Sequence, residues 1–168
     1  MNKSDGSEVQ ASGYAEIEGN DFIMAYGKMG DLTDFKIAST IMHELGHNLN
    51  LYHGGNSSGK NYSPNYNSIM NYQYQFDGVD NNCTVPGNGV LNFSNGSRPA
   101  LNENLLLEWN GICGSGVGVG VDWSGDDDVN DYGYKDINGS WTYDPDGTPL
   151  YQLDRNNRGG IYDGDEQL

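Results

Sequence analysis

Basic residues are scarce in this sequence. Its 168 residues include 8 Lys and Arg against 24 Asp and Glu, a formal charge of −16. A chain this acidic has no basic patch of the kind nucleic acid or an anionic membrane surface requires, so neither is an expected partner. No apolar run approaches the roughly 18 residues that cross a bilayer, and no membrane span is expected. Residues 1–10 (MNKSDGSEVQ) lack the apolar stretch of a secretory leader, as expected of a mature or trimmed chain, or of one that stays in the cell. Large aliphatic residues are few as well. Leu, Ile, Val and Phe total 32, about 19% of the chain, which at this charge borders on the composition of disordered proteins. Against that stand 12 Tyr and 3 Trp, large amphipathic pieces from which a core can be built.

The acidity is uneven. Residues 1–121 hold 12 acids and 5 bases, whereas the much shorter stretch 122–168 holds 12 acids and 3 bases. This division predicts a globular body over 1–121, with its core at 22–113, followed by an acidic, loop-rich tail over 122–168. Within the body, FIMAYG at 22–27 reads as a short strand. Asp31 or Thr33 can cap a following helix of about 16 residues, in which Phe35, Ala38, Ile41, Met42, Leu45 and Leu49 form one apolar stripe. Residues 54–100, rich in Gly, Asn, Ser and Tyr, read as long loops. The periodicity of 101–110 predicts a second helix stopped by Gly111.

The chain has three histidines, and all lie within eleven residues of that first helix and its exit: His43, His47 and His53. Positions four apart share a helix face about 5–6 Å from each other, so His43 and His47 can converge on one ion. Projecting away from the apolar stripe, they need not be core residues. Glu44, displaced around the helix from the ligand line, can take a proton from water that the metal activates. His53 can join only if the chain reverses after His47. Asn50 stands where that turn must occur, and Asn tolerates the left-handed conformation a reversal requires. Three neutral imidazoles with one open position describe a catalytic zinc site rather than a structural one.

The segment His43-Glu44-Leu45-Gly46-His47-Asn48-Leu49-Asn50-Leu51-Tyr52-His53 resembles the zinc motif HExxHxxGxxH of the metzincin metalloproteases, with Asn50 in place of the usual Gly. SIMNY at 68–72 is similar to their Met-turn. The resemblance implies that Met70 forms the floor beneath the imidazoles and that Tyr72 either binds zinc at rest or stabilises the oxyanion. It implies an α+β catalytic domain with an active-site helix, a Met-turn and a C-terminal helix at 101–110. FIMAYG would be the edge strand that holds an extended peptide. Only about twenty residues precede that strand, so the domain is expected to be short of its N-terminal strands. The implied activity is a secreted zinc endopeptidase acting on protein or peptide substrates.

Alternatives remain at several positions. Glu103 or Glu108 could replace His53 as third ligand, as in thermolysin-like enzymes. Cys83 and Cys113 lack metal-binding spacing; they are either reduced or joined in a disulfide, which would place the protein outside the cytosol. In the tail, Asp122, Asp126, Asp128, Asn130 and Asp136, with Asp131 and Asn138 nearby, supply oxygen ligands at close spacing, as in a calcium loop, although the pattern is not an EF-hand. Asp144 and Asp146 form a weaker cluster. A solvated acidic spacer explains the same residues. The alternative to an enzyme is a metal-stabilised module whose tail is a calcium-dependent interaction surface, but such a module has no chemical need for Glu44.

Overall fold

The computed structural model describes residues 11–27, 29–55, 61, 63–84, 87–102, 105–114, 119–123, 127–133, 141–143, 149–151 and 161–162. Its central element is helix α1, Asp34–Asn48. Of the two candidate caps, Thr33 takes the role. Its backbone is extended, its side chain accepts from Lys36 N at 3.2 Å, and Asp34 places a negative charge in the first turn, where the helix dipole favours one. The other end closes as a Schellman motif. Leu51 N donates to Gly46 O and Asn50 N to His47 O, each at 2.9 Å, with Asn50 in the left-handed region at φ 68°.

The helix buries the face opposite to the one its periodicity predicts. Ser39, Thr40, His43, Glu44 and Gly46 are buried, while Ile41, Leu45 and Leu49 are 42%, 43% and 62% exposed. His43 is therefore a buried residue, not one projecting away from the core. The reason lies in what α1 packs against. Besides the hairpin of residues 13–24, which covers Glu44, its neighbour is a wall of loop whose buried carbonyls need donors. Ser39 Oγ donates to Gln75 O, and a ring nitrogen of His43 meets Ile69 O at 2.8 Å. A hydroxyl and an imidazole satisfy such a wall where leucine cannot. Met42 alone of the predicted stripe packs on the adjoining core cluster of Ile69, Tyr74 and Val79, together with Val90, Leu91 and Phe93.

Strands β1 (Gly13–Ala15) and β2 (Phe22–Met24) form an antiparallel hairpin in which Tyr14 pairs with Ile23. β2 occupies the predicted strand; β1 is a three-residue Gly-Tyr-Ala segment among polar neighbours, too short to signal one. The hairpin tip is fastened to the end of α1: Asn48 Nδ2 donates to Glu16 O (2.9 Å) and Asp21 O (3.1 Å), and Glu18 N donates to His47 O (3.1 Å).

The loop wall is organised around one buried ion pair. Arg98 and Asp80 meet at 2.5 Å with side chains 7% and 0% exposed. Arg98 also donates to Pro64 O at 2.9 Å and Asp80 O at 3.1 Å. Asn67 donates to Asp80 O at 2.7 Å and accepts from Asp80 N at 2.9 Å, so the loop is tied at both ends.

No second α-helix forms over 101–110. Leu101–Asn102 is strand β3 and Leu106–Leu107 is strand β4, leaving only a 3-10 turn at Glu108–Asn110 before Gly111. A ten-residue helix is marginal on its own, and Leu101 and Leu106 instead join Ile112 and Trp123 in a second core cluster. β4 pairs with β5 (Tyr132–Gly133), β6 (Trp141–Tyr143) with β7 (Pro149–Tyr151), and β3 with β8 (Ile161–Tyr162), all antiparallel. Cys83 and Cys113 are joined in a disulfide, so neither is a metal ligand. Glu103, Asn138, Asp144 and Asp146 lie outside the described residues.

Two changes test this arrangement by chemical denaturation. Arg98→Met strands the buried Asp80 carboxylate and should cost about 3–5 kcal/mol. Asn50→Val forces a β-branched residue into the left-handed region and should cost about 1–2 kcal/mol, whereas Asn50→Gly should be tolerated. Equal stability of Asn50→Val and Asn50→Gly would show that this turn does not depend on backbone handedness.

Candidate metal centre

The reversal at Asn50 brings His53 back to α1. His53 Nε2 lies 3.2 Å from His43 Nε2 and 3.0 Å from His47 Nε2. The outer nitrogens meet backbone acceptors. His43 Nδ1 lies 2.8 Å from Ile69 O and His47 Nδ1 lies 2.9 Å from Leu51 O. A carbonyl can only accept, so both protons sit on Nδ1 and both Nε2 atoms present lone pairs to the centre. His53 Nε2 faces both lone pairs, and with its own lone pair turned inward the three nitrogens would converge on a cation. A backbone carbonyl on the outer nitrogen is a common means by which metal-binding imidazoles are oriented.

Burial strengthens the case. It lowers His43 to about 4, despite the favourable carbonyl of Ile69, and His53 to about 3, with His43 and His47 adding to the effect. His47 is lowered by burial too. All three imidazoles are thereby held neutral, the form that ligates. Together they could hold one metal ion, and among the described residues they are the one group of three or more His, Cys, Asp or Glu so placed.

Glu44 is 4% exposed, and burial pushes its carboxyl up to about 7. Met70 is fully buried directly against α1: a Cβ on Gly46 would collide with Met70 Sδ and stand 3.0 Å from Phe93. Glycine inside a helix costs roughly 1 kcal/mol against alanine, and here the close approach of the Met70 turn explains it. Tyr72 stands at the mouth, 44% exposed, its ring 4.3 Å from that of His53 and 5.7 Å from that of His43.

The remaining candidates do not join this centre. Glu108 is buried in the 3-10 turn beside the Leu106 cluster. In the tail, Asp122 accepts from Asp127 N and Asp128 accepts from Asn130, each at 2.9 Å. Asp126 and Asp136 lie outside the described residues, and the described acids gather no third ligand. Sequence reasoning missed Gly46, the Ile69 and Leu51 carbonyls and the buried Ser39. Only Gly46 carried a signal, as an isolated glycine within a helical pattern.

His53→Ala should abolish stoichiometric metal binding, measured by elemental analysis after dialysis. Gly46→Ala should cost about 1–3 kcal/mol through overpacking against Met70, read as a lowered denaturation midpoint.

No family model matches the chain, and no curated protein or solved structure matches it either.

Proposed function

We propose that this chain is a zinc-dependent endopeptidase with a metzincin-like site. The observation that carries the reading is the convergence of the Nε2 atoms of His43, His47 and His53, with a buried glutamate next to the first of them. Zinc–nitrogen bonds of about 2.0–2.1 Å in tetrahedral geometry separate the nitrogens by about 3.3 Å, close to the 3.0 and 3.2 Å found here. Three neutral imidazoles leave one position open, the arrangement of catalytic rather than structural zinc. Zinc in such a site polarises a carbonyl and lowers the pKa of water to about 7.

The protein's own groups supply the rest. Glu44 takes the proton from the attacking water and returns it to the leaving amine. Its carboxyl, raised to about 7, is matched to both halves of that transfer near neutral pH. Tyr72, whose ring lies against those of His43 and His53, would bind the metal at rest or donate to the developing oxyanion. The carbonyls of Ile69 and Leu51 hold two imidazoles in one tautomer. The half-exposed hairpin strand β2 is the segment along which an extended peptide would lie. The Cys83–Cys113 disulfide accords with a protein that works outside the cytosol.

Glu44→Gln should retain one equivalent of zinc and lose casein cleavage by about 10²–10⁴-fold. A chelator should stop cleavage by the parent protein, and zinc should restore it. Undiminished cleavage by Glu44→Gln would refute the assignment of the proton carrier.

A further inference from the structure

We infer that Gly13, in β1, is the positioning residue for Glu44: the strand rests its bare Cα against that carboxylate and holds it in one orientation. The inference rests on the endopeptidase reading of the site. A Cβ built on Gly13 would stand 2.7 Å from both Cγ and Cδ of Glu44 and would collide with Oε1. Any side chain at this position would have to displace the Glu44 carboxylate.

The hairpin cannot simply lift to make room, because it is pinned on both sides of this contact. Before Gly13, Ser12 Oγ accepts from Gln75 Nε2 at 3.5 Å, while Ser12 O accepts from Ala25 N at 2.8 Å and continues the ladder between the two strands. Gln75 O in turn accepts from Ser39 Oγ of α1. After it, Asn48 and the His47 carbonyl anchor the 16–21 turn to the end of α1. Between these anchors the strand crosses Glu44, and a side chain at 13 would move the glutamate's carboxylate rather than the strand. The backbone of β1 also shields Glu44 from water on that side.

A double-mutant cycle on the full-length zinc protein tests this, with Gly13→Ala, Glu44→Asp and their combination. The readouts are kcat and KM on a fluorogenic peptide, the visible spectrum of the cobalt-substituted protein, and the melting temperature. Aspartate is one methylene shorter and withdraws the carboxylate from β1. Gly13→Ala alone should lower kcat about 10–100-fold, the scale of a displacement near 1 Å, with KM within about twofold by the same differential argument. It should also shift the cobalt bands. In the Glu44→Asp background it should change neither. An unchanged kcat and spectrum in Gly13→Ala, or equal losses in both backgrounds, would overturn the proposal.

Two further outcomes are informative. Should Gly13→Ala fail to fold, rescue of folding by Glu44→Asp upholds the contact, and absence of rescue refutes it. Should the parent protein hydrolyse no peptide, the endopeptidase reading fails, while the cobalt spectra still decide the role of Gly13. Bands that move only when Glu44 is present uphold it, and bands that do not move refute it.

Discussion

The pairing of Arg98 with Asp80 is the interaction on which the rest of this structure depends. Most of the body between 61 and 99 has no helix or ladder to satisfy its backbone, so each turn relies on side chains for closure. Arg98 spans the loop by reaching Pro64 at one end and Asp80 at the other. Asp80 distributes its second oxygen to the amides of Asn82 and Thr84. A buried charge pair is often no better than an apolar substitute. Here it serves as a multi-point tie: five donors on a guanidinium, several acceptors on one residue. The SIMNY turn lies inside the loop that this tie closes, and the metal centre inherits its rigidity.

From there the order passes to the helix through carbonyls. Ile69 O fixes the tautomer of His43, and Gln75 O takes the hydroxyl of Ser39. Met70 fills the notch left by Gly46. The helix face that meets the loops is therefore polar or small, and its aliphatic side remains partly in solvent. In a fold with an extensive sheet the opposite would hold, because sheets present satisfied backbones and ask only for apolar contact.

That inversion explains what was legible in the sequence and what was not. The helix itself was legible, since Thr33 and Asn50 are local signals acting within a few residues of themselves. The convergence of His53 followed from the same local rule. The direction in which the helix faces was not legible. Periodicity of Ile41, Leu45 and Leu49 assumes an apolar partner, and nothing local announces that the partner is a wall of carbonyls. The second helix at 101–110 failed for a related reason. Leu101, Leu105 and Trp109 have helical spacing, but the packing of Leu101 and Leu106 with Ile112 and Trp123 and the strand pairings of β3 and β4 outweigh a weak local preference. β1 escaped notice because a strand of Gly, Tyr and Ala has little propensity, and its place is set by what lies beneath it.

The Cys83–Cys113 link encloses the segment that carries Arg98 and the residues flanking it. The loop wall and the Leu106 cluster are thus bonded together independently of the main chain between them. A chain nicked anywhere from 84 to 112 would keep both pieces joined through the disulfide and would migrate as one species until a reductant was added. For a molecule proposed to cut peptide bonds, this gives a form of tolerance: a self-inflicted cut in the exposed turns near Asn95 or Leu105 would not release the half that bears the histidines.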